Sequence, residues 1–377
     1  MGEIGTNGGA EVFWADLSGD PTSDLLGKLE QMLRRSGIPD AALPKRLVCC
    51  KVHFGEKGNT AFTRPLYVAR IVRYFAERGA KPFLADTNTL YVGSRGDAVT
   101  HHRTAEEHGF GFPGTGAPVI IAGGLKGTRG SKVPVNGRHF SQVEIADEFL
   151  DADILVGITH FKGHEMSGFG GTLKNFGMGT ATRAGKLAMH SKVNPQVRPE
   201  SCTGCRLCAR WCAHGAIAYP EGKARIEPAR CVGCGACLAT CPEEAIRIVW
   251  NGGASDMQEK MVEHACGCLQ ERLDGRAFFF NFVIQVSPLC DCYPFTGSPL
   301  VPDLGVLASR DPVALDQASV DLVNKAVGLP GSVLPGGARA GGEDKFRGVH
   351  PHIDWEVQLR HAERLGLGSR SYLLVPV

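Results

Sequence analysis

No stretch of about 20 consecutive apolar residues occurs, the length that a membrane-crossing helix needs, so nothing in the sequence reads as a membrane span. Charge of one sign is not in excess either. Lys plus Arg number 41 and Asp plus Glu 39, a formal net charge of +2. Bulk electrostatics therefore point to neither nucleic acid nor an anionic membrane as partner. The N-terminal MGEIGTNGGAEVFWADL has glycines and acidic residues where a signal peptide would have basic and then apolar ones. A cytoplasmic, reducing location is the expectation. There is no G-x-x-x-x-G-K-[ST] run, and GFGGTLKNFG is not a G-x-G-x-x-G fingerprint, so neither a P-loop nor a dinucleotide turn is indicated.

Cysteine is plentiful, and eight of the 14 lie between Cys202 and Cys241. CTGCRLCARWC is followed, eighteen residues on, by CVGCGACLATCP. Each run has the spacing C-x2-C-x2-C-x3-C, the pattern of bacterial two-cluster ferredoxins, in which the fourth Cys of one run serves the other cluster. The expected ligands are Cys202, Cys205, Cys208 and Cys241 for one [4Fe-4S] cluster, and Cys231, Cys234, Cys237 and Cys212 for a second. Disulfides do not suit a chain with no secretory feature, and zinc usually takes two short Cys-x-x-Cys knuckles. Ala213 stands where Pro would normally follow the fourth Cys, whereas Pro242 keeps the pattern. Ala216-Ile217 and Ala245-Ile246 follow the two runs at matching positions, the mark of an internal repeat.

At 377 residues the chain is long enough for two or three domains of about 100–200 residues. Residues 1–10 read as a loose tail. Helices are predicted over 23–36, with Ser23 as N-cap and Gly37 as C-cap, over 65–78 and over 97–108. Strands are predicted at 46–54, 82–86, 118–124 and 153–160, the alternation of a parallel sheet covered on both faces. Residues 161–190 read as a glycine-punctuated loop or short helices. After the cysteine runs come a helix from Ser255, a long buried strand over 276–286, a short strand DLGVLAS, a helix opened by Asp311 and Pro312, an irregular block over 328–348, and a final helix and strand. The reading is an α/β domain with a mostly parallel sheet, residues 1–198 and 250–377. A small α+β ferredoxin-like two-cluster domain, 199–249, is inserted into it.

Polar residues gather at the predicted strand ends, where open α/β sheets bind ligands. They are His53, Glu56, Lys57, Asn59 and Thr60; Asp86, Thr87, Asn88 and Thr89; His160, Lys162, His164, Lys174, Asn175 and His190; and Cys290, Asp291 and Cys292. Cys290 and Cys292 offer two thiolates to a further metal ion, against the plainer reading of two residues in a turn. Cys266 and Cys268 read as structural, and Cys49 and Cys50 as inert strand residues. His160 and His164, separated by Gly163, make a weak helical metal pair. His101, His102, His108, His350 and His352 read as solvated or core histidines.

VCCKVHFGEKGNTAFTRP, ADTNTLYVGSRGD, DILVGITHFKGHEMSGFGGTLKNFGMG and CDCYPFTGSPLVPDLGVLASRDPVALDQASVDL resemble the DUF362 family, over about residues 45–327. The resemblance implies an α/β domain, a ferredoxin-type insert and a polar site, with weight on His53, Lys162, His164, Lys174, Asn175, Cys290 and Cys292. The functional expectation is an iron–sulfur oxidoreductase whose ferredoxin module, fed by a redox partner protein, relays electrons to that site and a small-molecule substrate. The alternatives are an electron carrier or subunit whose α/β domain docks a partner, and structural clusters on a binding module.

Overall fold

The computed structural model describes residues 9–19, 24–91, 93–190, 194–249 and 252–377. Eight strands form its central sheet: β1 (Ala10–Ala15), β2 (Leu47–Val52), β3 (Lys81–Thr87), β4 (Val119–Ala122), β5 (Ile154–His160), β6 (Ala277–Val283), β7 (Gly305–Ser309) and β8 (Tyr372–Pro376). Their order is β8-β1-β7-β6-β5-β2-β3-β4. Every neighbouring pair is parallel except the two that involve β7. The sheet is thus mostly parallel, in an α/β fold.

Alternation along the buried strands builds two cores. Cys49, Leu155 and Phe279 point into one. Val48, Cys50, Val156, Phe278 and Phe280 point into the other, as a period of two requires. The helices Leu25–Arg34, Pro65–Ala76 and Ala98–Glu107 supply Leu29, Met32, Val68, Ile71 and Ala105 to the second core. Ala254–Leu269, Pro312–Lys325 and Glu356–Arg364 cover the opposite face with Met257, Met261, Leu315, Val320 and Leu359.

Several local expectations change. Ser23 lies outside the described residues, and the first helix is capped by Asp24, which accepts from the Gly27 amide at 2.6 Å. That helix stops at Arg34, and Gly37 takes up the left-handed conformation (φ +73°) beyond it. Of the presumed tail, Ala10 opens β1, which fills a slot between β7 and β8. The long strand over 276–286 stops at Val283. The 161–190 stretch is a tight hairpin, Lys162–His164 with Gly168–Gly170, followed by the helices Thr172–Gly177 and Arg183–His190.

Residues 194–249 add no strand to the central sheet. They form two small antiparallel pairs, Gln196–Val197 with Ile246–Arg247 and Ile217–Ala218 with Arg225–Ile226. Chain on either side of them enters one sheet, since β5 and β6 pair directly, Leu155 opposite Ala277.

Candidate functional site

Because β6, β5, β2, β3 and β4 run in one direction, their carboxyl ends share one edge. A cavity of about 560 Å³ opens there. His53, Lys162, His164, Lys174 and Asn175 all line it, together with Cys292. They reach it from four segments: His53 from the exit of β2, Lys162 and His164 from the hairpin after β5, Lys174 and Asn175 from the helix Thr172–Gly177, and Cys292 from the loop after β6. Lys57 is not part of it and pairs with Glu107 on the surface, 3.1 Å away. Asn59 instead ties down the loop after β6 through the Tyr293 carbonyl (3.2 Å).

Three further cations line the cavity that the sequence reading passed over: Lys51, Arg95 and Lys186. Lys51 sits within the apolar run of β2, fully buried. Its Nζ lies 3.0 Å from Asp86 Oδ1 and donates to Asn175 Oδ1 at 2.7 Å. A lysine inside a buried strand needs such partners, and that was the available signal. Burial pulls its pKa down while Asp86 opposes the fall. Despite its own burial, Asp86 is held below the usual carboxylate range by Lys51, His101 and Arg95. Arg95 contacts Glu56 (3.2 Å) and lies within hydrogen-bond distance of His53 Nε2 (2.9 Å). Burial, then Arg95, keeps the His53 ring well below its normal pKa and so uncharged at neutral pH. Lys186 donates to Thr87 Oγ1 and to the Asn88 carbonyl, both neutral. Burial pushes it down to about 7 against the pull of Asp86.

His164 Nδ1 accepts from the Met166 and Ser167 amides, both at 3.2 Å, leaving Nε2 to carry the proton. Its neighbour Glu165 is raised above the usual carboxyl range by burial and then by Cys290. His160, at the end of β5, is withdrawn from the cavity. Its Nδ1 lies 2.8 Å from Asp291 Oδ1, and its Nε2 faces the Ile284 carbonyl at 3.0 Å. His160 and His164 are therefore not a helical metal pair. His101 is a core histidine, fully buried beside Asp86.

Asp291 is the hub of the loop after β6. Besides His160 it faces Lys162 Nζ (3.5 Å), and its carbonyl accepts from the Glu56 amide (2.9 Å). On either side of it, Cys290 accepts from Lys174 Nζ at 3.1 Å and Cys292 enters the cavity wall. The hydrogen bond from the Cys292 thiol and then the Lys174 cation favour a thiolate at Cys290, while Cys292 holds the proton. Among the described residues, no three His, Cys, Asp or Glu side chains converge closely enough to hold one metal ion. Among the described residues, Cys290 and Cys292 have no third such side chain close by. Cys266 and Cys268 lie buried in the helix Ala254–Leu269, their thiols pushed up to about 11 by burial. Cys50, in β2, is pushed to about 12 for the same reason.

Away from this cavity, Cys202, Cys205, Cys208 and Cys241 line one small cavity, and Cys212, Cys231, Cys234 and Cys237 line another. All 14 cysteines are free of disulfides. The two halves repeat in backbone as well as in sequence. Gly204 and Gly233 are both left-handed at φ +72°, Arg206 and Gly235 at +62° and +69°, and Gly215 and Glu244 at +55° and +48°. In each half an amide four residues on donates to the last sulfur, Ala216 to Cys212 and Ala245 to Cys241, both at 3.3 Å.

The helix Arg183–His190 stands between the second cysteine group and the large cavity. A Cβ on Gly235 would lie 2.9 Å from Arg183 Cγ, and one on Gly233 would lie 3.9 Å from Leu187 Cδ2. Lys186 and His190 of the same helix line the large cavity. A second strut is Lys126, which donates to Thr240 Oγ1 at 3.0 Å and lies 3.7 Å from the Trp211 ring centroid.

A family model described as a domain of unknown function, DUF362, matches residues 48–321. The chain belongs to the DUF362 family. No curated protein matches it. Two solved structures resemble it distantly. One is the lactate racemase apoprotein from Thermoanaerobacterium thermosaccharolyticum, at 13% identity and a TM-score of 0.34, over 73% of this chain and 51% of that one. The other is a protein from Thermotoga maritima, at 12% identity and 0.37, over 71% and 52%. This chain thus spans about half the length of either, and at those TM-scores neither is a guide to its site.

Proposed function

We propose that this DUF362 protein is a two-cluster iron–sulfur oxidoreductase. Residues 199–249 act as a ferredoxin-like domain inserted into the α/β domain, and the cavity at the sheet edge takes a small-molecule substrate. The observation that carries the reading is the sorting of the cysteines. Each cavity of the cysteine-rich segment is lined by three thiols of one run and the last thiol of the other, the crossed set that two cubanes need. The amides of Ala216, Ala224 and Ala245 point at ligand sulfurs, as hydrogen bonds that tune a cluster do.

Bound there, [4Fe-4S] clusters supply electrons one at a time. The chain's own residues do the rest. Lys162 and Lys174 offset negative charge on a molecule in the cavity. His164 Nε2 holds a proton beside it, and burial and then Cys290 shift Glu165 toward taking one up. The helix Arg183–His190 joins the cavity to the loop of Cys231, Cys234 and Cys237. A cavity of about 560 Å³ edged by these groups favours an enzyme over a carrier, which needs no such space.

Iron and acid-labile sulfide, measured on anaerobically purified protein, test the proposal. The expected content is about eight of each per chain. Zinc in place of iron, or iron without sulfide, would overturn it.

A further inference from the structure

The established geometry leaves one pair of nucleophilic side chains without a task. Cys290 and Cys292 are the first and third residues of a β-turn, which the Tyr293 amide closes on the Cys290 carbonyl at 3.1 Å. Such a turn draws residues i and i+2 together, toward the Cα separations that a disulfide requires. The turn is held from both sides. Asp291 is gripped by His160 and by the Glu56 amide, and Asn59 holds the Tyr293 carbonyl. Cys292 is in the cavity wall, half-buried, and Cys290, only 1% exposed, sits behind it against Lys174.

We propose that Cys290 and Cys292 form a redox dithiol that reduces a small-molecule disulfide bound in the cavity. Cys292 passes its proton to the Cys290 thiolate and attacks one substrate sulfur. The substrate S–S bond breaks, and its first half leaves as a thiolate that takes the proton from Cys290. The Cys290 thiolate, thus restored, attacks Cys292 Sγ, forming the Cys290–Cys292 disulfide and releasing the second substrate half as a thiolate that is protonated from solvent. The substrate gains two electrons and one proton from the Cys290–Cys292 pair and its second proton from solvent. Two one-electron donors, the class to which the proposed clusters belong, together with one proton, restore the thiol–thiolate pair. The inference rests on the cavity being a substrate site. Lys174 serves it as a positioning residue, keeping the buried sulfur ionised as nearby cations do. The two sulfurs differ in access, which assigns their order: half-buried Cys292 meets substrate and buried Cys290 resolves.

The test uses the full chain, purified anaerobically, with oxidised glutathione as the probe. After exposure the free thiols are alkylated and peptides mapped by mass spectrometry, with iron measured on the same sample. The expected result is a peptide containing Cys290 and Cys292 two hydrogens lighter and unalkylated, restored by dithiothreitol. In Cys290→Ser the glutathione adduct should persist on Cys292 at about tenfold the native level, because no resolving thiol remains. In Cys292→Ser the buried Cys290 should collect none. If both thiols of the native chain stay reduced while cluster iron is intact, the dithiol is wrong and the clusters stand. If the disulfide forms in protein that binds no iron, the dithiol stands and the cluster reading fails. The native-chain result decides the matter even if neither variant folds.

Discussion

Lys51 and Asp86 face each other 3.0 Å apart, 0% and 3% exposed. Removing one partner of a buried pair leaves an uncompensated charge, typically at a cost of about 3–5 kcal/mol. Lys51→Met should therefore lower stability by roughly that amount in denaturant titration. A loss below about 1 kcal/mol would mean that Arg95 and His101 carry Asp86 unaided. Lys186 makes a pH-dependent prediction. Its amine titrates near 7 in the folded protein, against 10.5 ordinarily. Between those values the unfolded chain binds more protons, so the contribution of Lys186 to stability rises with pH across that window and is flat below it. The denaturation midpoint of the native chain should gain on that of Lys186→Met from about pH 7 to pH 10. A constant difference would contradict the assignment. Lys51, Arg95 and Lys186 escaped the sequence reading for one reason. A buried cation is recognised by its partners, and Asp86, Glu56 and the Asn88 carbonyl are remote from them in sequence. His53, Lys162, His164, Lys174 and Asn175 were legible because they lie in polar, glycine-punctuated stretches at or beyond the ends of predicted strands, and in motifs that resemble the DUF362 family.

At the scale of elements, the helix Thr172–Gly177 sets Lys174 and Asn175. It has no capping side chain of its own, since Gly171 precedes it. Asp316, from the helix Pro312–Lys325, takes that role and accepts from the Thr172 and Leu173 amides at 2.7 and 2.9 Å. A Cβ on Gly171 would stand 2.2 Å from Asp316 Oδ1, so only glycine admits the clamp. Asp316→Ala should cost about 1–3 kcal/mol for each buried amide left without a partner. It should also weaken the Lys174–Cys290 contact, which alkylation of Cys290 would report. Unchanged stability would show that water replaces the carboxylate. This clamp was invisible in the sequence, where Asp316 reads as one polar position of an amphipathic helix. The cap that was legible, Asp311, acts on the amides two and three residues on. Strand β1 was overlooked because AEVFWA follows a glycine-rich start and pairs only with strands some three hundred residues away.

For the whole molecule, β-strand and helix alternation was enough to give an α/β fold and a mostly parallel sheet. The reversed direction of β7 was not legible, because direction is set by the connection and not by a strand's own residues. The cysteine spacing called for two crossed groups of four, but nothing in it said which would face the α/β domain. The helix Arg183–His190 answers that: it touches the loop of Cys231, Cys234 and Cys237 and lines the large cavity. That juxtaposition is the central claim, and a paramagnetic probe reads it. Cys292, alkylated with a trifluoromethyl ketone reagent, gives a ¹⁹F resonance inside the cavity, recorded before and after anaerobic reduction with dithionite. The account predicts that the line broadens on reduction, narrows again when Cys231 and Cys234 are replaced by alanine, and stays broad when Cys202 and Cys205 are replaced. A line width indifferent to reduction, or one that answers only to Cys202 and Cys205, would contradict it.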